Sequence, residues 1–291
     1  MDENIPSTSK GILFVVATPI GNLEDITFRA VRVLAEVALI AAEDTRRTKI
    51  LLRHYNIKTP LTSYHEYNKV ERGKELMSRL EAGENLALVS DAGTPGISDP
   101  GYHLIQLALQ GFISIIPIPG VSAAITALSI SGLPTDRFIF EGFLPSKAKA
   151  RRDHIEKFKE EKRTLIFYES PNRLEVTLRD LLLICGDREV VVTRELTKVF
   201  EEIIRGRITE VLNRLKDRKI KGEITLLVSG KRDRDGRGDF SILELLQAYQ
   251  KKYNLPVKDL VKMISEEKGI SKREVYQESL KLKKEKNVCL T

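Results

Sequence analysis

Cysteine is scarce. The 291 residues include two, Cys185 and Cys289, far apart and without metal-ligand spacing. That scarcity excludes a disulfide-stapled scaffold and the common zinc modules, and it fits a reducing cytoplasm. No apolar run reaches the roughly 18 residues of a membrane span. The polar opening MDENIPSTSK carries no signal-peptide pattern. Signatures of several enzyme classes are also missing. No G-x-x-x-x-G-K-[ST] is present, which argues against a P-loop NTPase. No G-x-G-x-x-G follows the first apolar run, so the usual dinucleotide fingerprint is absent. No G-x-S-x-G provides a nucleophile elbow. The four histidines, His54, His65, His103 and His154, share no metal-binding spacing, so no metal is expected.

What is present is an ordinary soluble composition, 42% hydrophobic and 31% charged, with charge unevenly distributed. The net charge is +7, and residues 231–291 carry five of that surplus. A second basic island runs from Lys147 to Arg163. Basic islands on a nearly neutral body suggest an anionic macromolecular partner, most often RNA, although a solvated helix face has the same appearance.

Along residues 1–230, short apolar runs alternate with helical periodicities, implying an α/β class with largely parallel sheets. Expected strands include 12–17, 38–42, 61–64, 85–90 and 113–118, then 137–140, 164–168, 189–194, 201–205 and 223–228. Expected helices include 26–37, one from an N-cap at Asp44 to His54, 102–110, 121–131 and 148–161. The division expected is an N-terminal α/β domain over 1–117, a second over 118–230, a charged linker over 231–240 and a helical extension over 241–291. In that extension Ser271 and Glu274 have capping-box spacing, and three short helices with a basic surplus are reminiscent of a helix-turn-helix unit.

Three strand-following loops are rich in small residues: 17–25, 90–101 and 118–123. Ligands of open α/β sheets bind outside the carboxyl ends of strands, and small residues there let a ligand reach the backbone. Together the loops predict a small-ligand site. Several segments, VATPIGNLEDITFRA, AEDTRRT, SYHEYN, LVSDAGTPGISDPG, IPGVSAAITALSISGLPTDRFIFEGFLPSK, FYESPNRL and EITLLVSG, occur in this order between Gly11 and Gly230. They resemble the tetrapyrrole methylase superfamily, and within it the members that modify ribosomal RNA. The tail, with ISKREVYQ, is similar to the helical extension of those members.

The resemblance implies two α/β domains with S-adenosylmethionine (SAM) in the cleft between them, and a homodimer. It implies 2′-O-methylation of a cytidine ribose in the decoding region of 16S rRNA, with free rRNA or the small ribosomal subunit as substrate. Carried over by motif, the cofactor contacts would be Pro19, Asp91, Ala92, Gly93, Ile97, Ser122, Ala123, Glu169, Leu196 and Thr197. Asp91-Ala92-Gly93 departs from the Gly-Gly-Asp of tetrapyrrole-specific relatives. Two other classes stay open: a small-molecule C-methyltransferase of the same fold, and a non-catalytic RNA-binding protein.

Methylating a ribose hydroxyl requires an in-line approach and an acceptor for the proton. His65 is one candidate, since histidine ordinarily titrates near 6.5. Glu66 beside it, Asp91 and Asp44 are the others, although Asp44 could serve only as a cap. For RNA phosphates the candidates are Arg46, Arg47, Lys147, Lys149, Arg151 and Arg152.

Overall fold

The computed structural model describes residues 9–231, 242–268 and 270–288. The expected linker over 231–240 lies outside these except for Lys231. Residues 1–231 form one compact unit and residues 232–291 a second.

The first half of the larger unit is built on a sheet of β1 (Ile12–Val16), β2 (Leu39–Ala42), β3 (Leu61–Ser63), β4 (Leu86–Val89) and β5 (Ser114–Ile118). Its order is β3-β2-β4-β1-β5, and every pairing is parallel. Strands β2 and β4 are apolar throughout and buried at every position, as expected when both faces are covered. The covering helices are α1 (Phe28–Glu36), α2 (Thr45–His54), α3 (Lys69–Glu81) and α4 (Gly101–Gln110). One face buries Val33, Leu34, Ile40 and Leu52. The other buries Tyr64, Leu76, Leu80 and Leu104. Helix α1 starts later than the 26–37 periodicity suggests. Thr27 caps it, its Oγ1 accepting the Ala30 N–H at 3.1 Å, and a 3-10 turn over Leu23–Asp25 precedes it.

The second half contains β6 (Phe138–Phe143), β7 (Thr164–Glu169), β8 (Glu189–Arg194), β9 (Glu202–Arg207) and β10 (Ile224–Val228), in the order β6-β7-β10-β8-β9. Here the expectation of largely parallel sheets fails. Only β6 and β7 pair in parallel, and the other three pairings are antiparallel. The short connection between β8 and β9 carries no helix and cannot make the crossover that a parallel pair needs. Helices α6 (Ala148–Glu156), α7 (Leu174–Cys185) and α8 (Ile208–Leu215) pack on one face around Phe167, Leu178, Val192 and Val211. Helix α5 (Ala123–Ser131) packs on the other face, burying Ala127 and Leu128 against Ile166, Val191 and Leu227. Ile20 of the β1 loop joins this cluster, so the two sheets meet through a common apolar seam.

The second unit contains α9 (Ile242–Tyr253), α10 (Val257–Lys268) and α11 (Lys272–Val288) around Leu245, Leu246, Leu260, Ile264 and Val275. The capping spacing at Ser271 is realised: its Oγ accepts the Glu274 N–H at 3.2 Å and donates to Glu274 Oε2 at 3.0 Å. Among the described residues no helix is long and apolar enough to cross a membrane.

Candidate active site

The loops leaving β1, β2, β4 and β5 meet the second sheet around a cavity of about 400 Å³. That volume falls in the usual range of ligand pockets, roughly 300–1,000 Å³. Two close approaches bring the loops together. Gly93 sits at φ +81° and exchanges backbone hydrogen bonds with Thr18 at 2.9 and 3.0 Å, a left-handed conformation suited to glycine. At Gly120 a Cβ would stand 2.8 Å from the Ala17 Cβ, so a side chain there would push the β5 loop away from β1.

Of the residues the resemblance assigns to the cofactor, Asp91, Ala92, Gly93, Ile97, Ser122, Ala123, Glu169 and Leu196 line this cavity. Pro19 lines an adjoining recess of about 190 Å³ that shares Ile20, Asp91 and Ala92 with it. Thr197 departs from the expectation, because it is not on the cavity wall. Its Oγ1 accepts the Asn22 N–H at 3.0 Å and its own N–H donates to Glu201 Oε2 at 2.7 Å, so it ties the β1 loop to the second sheet. Glu169 is on the wall, but its side chain is fully buried. Its carboxylate accepts the Ser170 N–H at 2.8 Å and the Thr177 hydroxyl at 2.6 Å, with Arg173 Nε 3.3 Å away. It braces the wall.

The four base candidates separate. Asp91 lines the cavity, with Oδ1 accepting the Asp44 N–H at 2.8 Å and Oδ2 lying 3.6 Å from Arg47 Nε. Asp44 is the N-cap of α2, accepting the Arg46 N–H at 2.8 Å and the Arg46 guanidinium at 2.7 Å. These contacts, the guanidinium above all, hold its carboxyl down to about 2. His65 and Glu66 are not on the cavity wall, because they follow β3, the outer edge strand beyond β2. The His65 N–H donates to Asn68 Oδ1 at 2.8 Å, its Nδ1 is buried without a hydrogen-bond partner, and Glu66 pairs with Lys69 at 2.6 Å.

The phosphate candidates also separate. Arg47 lines the cavity. Arg46, Lys147 and Lys149 are exposed. Arg151 corrects the expectation of a surface cation: its side chain is 6% exposed and its guanidinium pairs with Asp180 at 2.7 Å. Arg152 reaches the other Asp180 oxygen at 2.7 Å but stays about half exposed. Asp180 is buried on α7, so the inward face of α6 must neutralise it.

Several further wall residues were not among the site residues expected from the sequence. Glu43 is the first residue beyond β2, and its Oε2 accepts the Asp91 N–H at 3.3 Å. Burial pushes its carboxyl above the ordinary value. The Asp91 N–H and Arg47 oppose that rise, while the charges of Asp91 and Asp99 add to it. Asp99 Oδ1 accepts the N–H groups of Gly96 and Gly101, each at 2.8 Å, and burial raises its carboxyl despite them. Tyr168 is raised as well, again by burial. Thr193 and Thr225 are buried on neighbouring strands β8 and β10 and face the cavity, Thr193 Oγ1 donating to the Thr225 carbonyl at 3.1 Å. A signal for these two existed: a threonine borders the valine run of EVVVTR and interrupts the apolar ITLLV.

The acidic lining around one arginine suits a cationic ligand, while small residues expose backbone and Ile20, Ile97, Leu196 and Ile224 provide apolar surface. Known proteins fit this picture. The chain is 49% identical over 272 residues to the ribosomal RNA small subunit methyltransferase I of Halalkalibacterium halodurans, covering 92% of this chain and 94% of that relative. It is 47% identical over 280 residues to the protein of the same name from Pseudomonas aeruginosa, covering 94% and 98%. A Thermus thermophilus uroporphyrin-III C-methyltransferase, crystallised with S-adenosylhomocysteine, shares the fold at a TM-score of 0.54 and 19% identity, covering 75% of this chain and 97% of that one. Residues 13–212, more than two thirds of the sequence, match the tetrapyrrole (corrin/porphyrin) methylases, and the chain belongs to that family.

Proposed function

We propose that this protein is a SAM-dependent methyltransferase of small-subunit ribosomal RNA, acting on the ribose 2′-hydroxyl of a cytidine in the decoding region. The observation that carries the reading is near-half identity, along nearly the whole chain, to relatives named for methylating small-subunit rRNA. The cavity supports the cofactor. SAM, when bound, supplies an electrophilic methyl group on a positively charged sulfur. Ala92, Gly93, Ser122 and Ala123 would admit it to the backbone, Ile97 and Leu196 would cover its apolar parts, and Glu43, Asp91 and Asp99 would favour its positive charge.

The chain's own contribution is positioning and proton removal. Holding the hydroxyl in line with the methyl carbon removes up to roughly 7–11 kcal/mol of the barrier in well-oriented cases. A base adds about 10²–10⁴-fold. Of Asp91, Asp44, His65 and Glu66, Asp91 is the one on the cavity wall. Arg46, Arg47, Lys147, Lys149 and the exposed Arg152 would neutralise RNA phosphates. An rRNA substrate implies a cytoplasmic site of action. A homodimer is proposed from the family resemblance, and sedimentation velocity tests it.

The decisive assay supplies labelled SAM with small ribosomal subunits, free 16S rRNA or uroporphyrinogen. Label is expected in rRNA, as a ribose-methylated cytidine after nuclease digestion and mass spectrometry. Label in the tetrapyrrole alone would assign the small-molecule activity instead.

A further inference from the structure

Three carboxylates line the first-sheet wall of the cavity, and their contacts are unequal. Asp91 has one oxygen on the Asp44 N–H and the other beside Arg47. Asp99 is held by two backbone N–H groups of its own loop. Glu43 accepts one long hydrogen bond, 3.3 Å from the Asp91 N–H, on Oε2. Its Oε1 has no hydrogen-bond partner among the described residues, and the side chain lines the cavity. Glu43 is therefore the most loosely held of the three: its one hydrogen bond is 3.3 Å long, against 2.8 Å for those of Asp91 and Asp99, and its Oε1 is uncommitted on the cavity wall.

We propose that Glu43 is the proton acceptor for the ribose hydroxyl, and that Asp91 is a positioning residue that holds the β2 and β4 strand ends together. The proposal rests on the methyltransferase reading above. The hydroxyl oxygen forms its bond to the methyl carbon as the carbon–sulfur bond breaks, whose electron pair remains on sulfur. The O–H bond breaks at the same time. Its electron pair stays on the ether oxygen, and the proton moves to Glu43 Oε1 and then to water. A positive sulfur and a carboxylate thus become a neutral thioether and a carboxylic acid. Burial and the neighbouring charges of Asp91 and Asp99 favour that protonation, against the Asp91 N–H and the single cation Arg47. A carboxylate so tuned is a stronger base than an exposed glutamate.

Two measurements test this. In single-turnover methylation of small subunits at saturating SAM, Glu43→Gln should be slower by about 10²-fold or more, with Glu43→Asp intermediate. The wild-type rate should fall at acidic pH with the loss of one proton acceptor, and Glu43→Gln should lack that limb. The second measurement uses the ligand-free protein with ¹³C-labelled glutamate carboxyls. The resonance absent from both Glu43 variants should titrate above the ordinary glutamate value, and should move down in Asp91→Asn. A Glu43→Gln rate within threefold of wild type, an acid limb that survives in it, or a resonance titrating at or below the ordinary value overturns the assignment. A wild-type protein that methylates no small subunit overturns the methyltransferase reading itself, and the proposal with it.

Discussion

Removing the Asp180 carboxylate should unfold the protein at a distinctly lower temperature. Asp180 is buried and accepts Arg151 Nε at 2.8 Å and Arg151 Nη2 at 2.7 Å, with Arg152 Nε at 2.7 Å on its other oxygen. The Arg151 side chain is 6% exposed, so in Asp180→Ala its charge would remain inside with only the Ser146 carbonyl, 3.3 Å from Nη1, as a partner. Stranding one member of a buried ion pair costs about 3–5 kcal/mol. For a unit of this size each kcal/mol moves Tm by roughly 2–4 °C, so a drop of about 6–20 °C is expected. Differential scanning calorimetry measures it, and urea melts with an unchanged slope would show that the native state, rather than the unfolded one, was weakened. Arg152→Ala should cost far less, because that side chain is half exposed and Arg151 still neutralises Asp180. The same experiment separates the two readings of Arg151. If Asp180→Ala melted within about 3 °C of wild type, while Arg151→Met lost salt-dependent RNA affinity, Arg151 would be a phosphate contact and the buried-pair argument would be wrong.

Three further outcomes are expected. Ala123→Trp should fill the cavity beside α5 and weaken SAM binding by at least tenfold in calorimetry, and unchanged affinity would mean that SAM binds elsewhere. Truncation after Gly230 removes the segment with the basic surplus; filter-binding titrations across salt concentrations should show weaker RNA binding and a flatter salt dependence, with SAM affinity unchanged. Asp99→Asn should raise Tm at pH 7, because the amide oxygen keeps the Gly96 and Gly101 contacts without a buried charge. Burial raises this carboxyl in the folded state, so folding disfavours its ionised form. The penalty is absent below the ordinary value of 3.8 and fully present above the folded one, and the advantage of Asn should therefore vanish as pH falls towards 3.8.

Local chemistry was legible without coordinates. Asp44 as a helix cap, the Ser271–Glu274 capping pair, the apolar strands and the glycine-bearing loops all depend on neighbours within a few residues, and each is realised. The small-ligand reading of three loops followed from the same local patterns, because strand ends and helix starts must alternate in an α/β chain. The two antiparallel pairings of β10 in the second sheet were not legible, since it joins β7 and β8 across intervals that no short window spans. The site itself divided along the same line. Asp91, Gly93, Ser122 and Ala123 line the cavity because their loops leave β4 and β5, whereas His65 misses it because β3 lies at the edge opposite β5. Arg151 and Arg152 are adjacent and identical in the sequence, and only the packing of α6 on α7 buries one against Asp180 and leaves the other half in water. Sequence determines which residues are able to cap, turn, ionise or bind. Which of them converge on one cavity depends on strand order and helix facing, which are set by contacts between residues far apart in the chain.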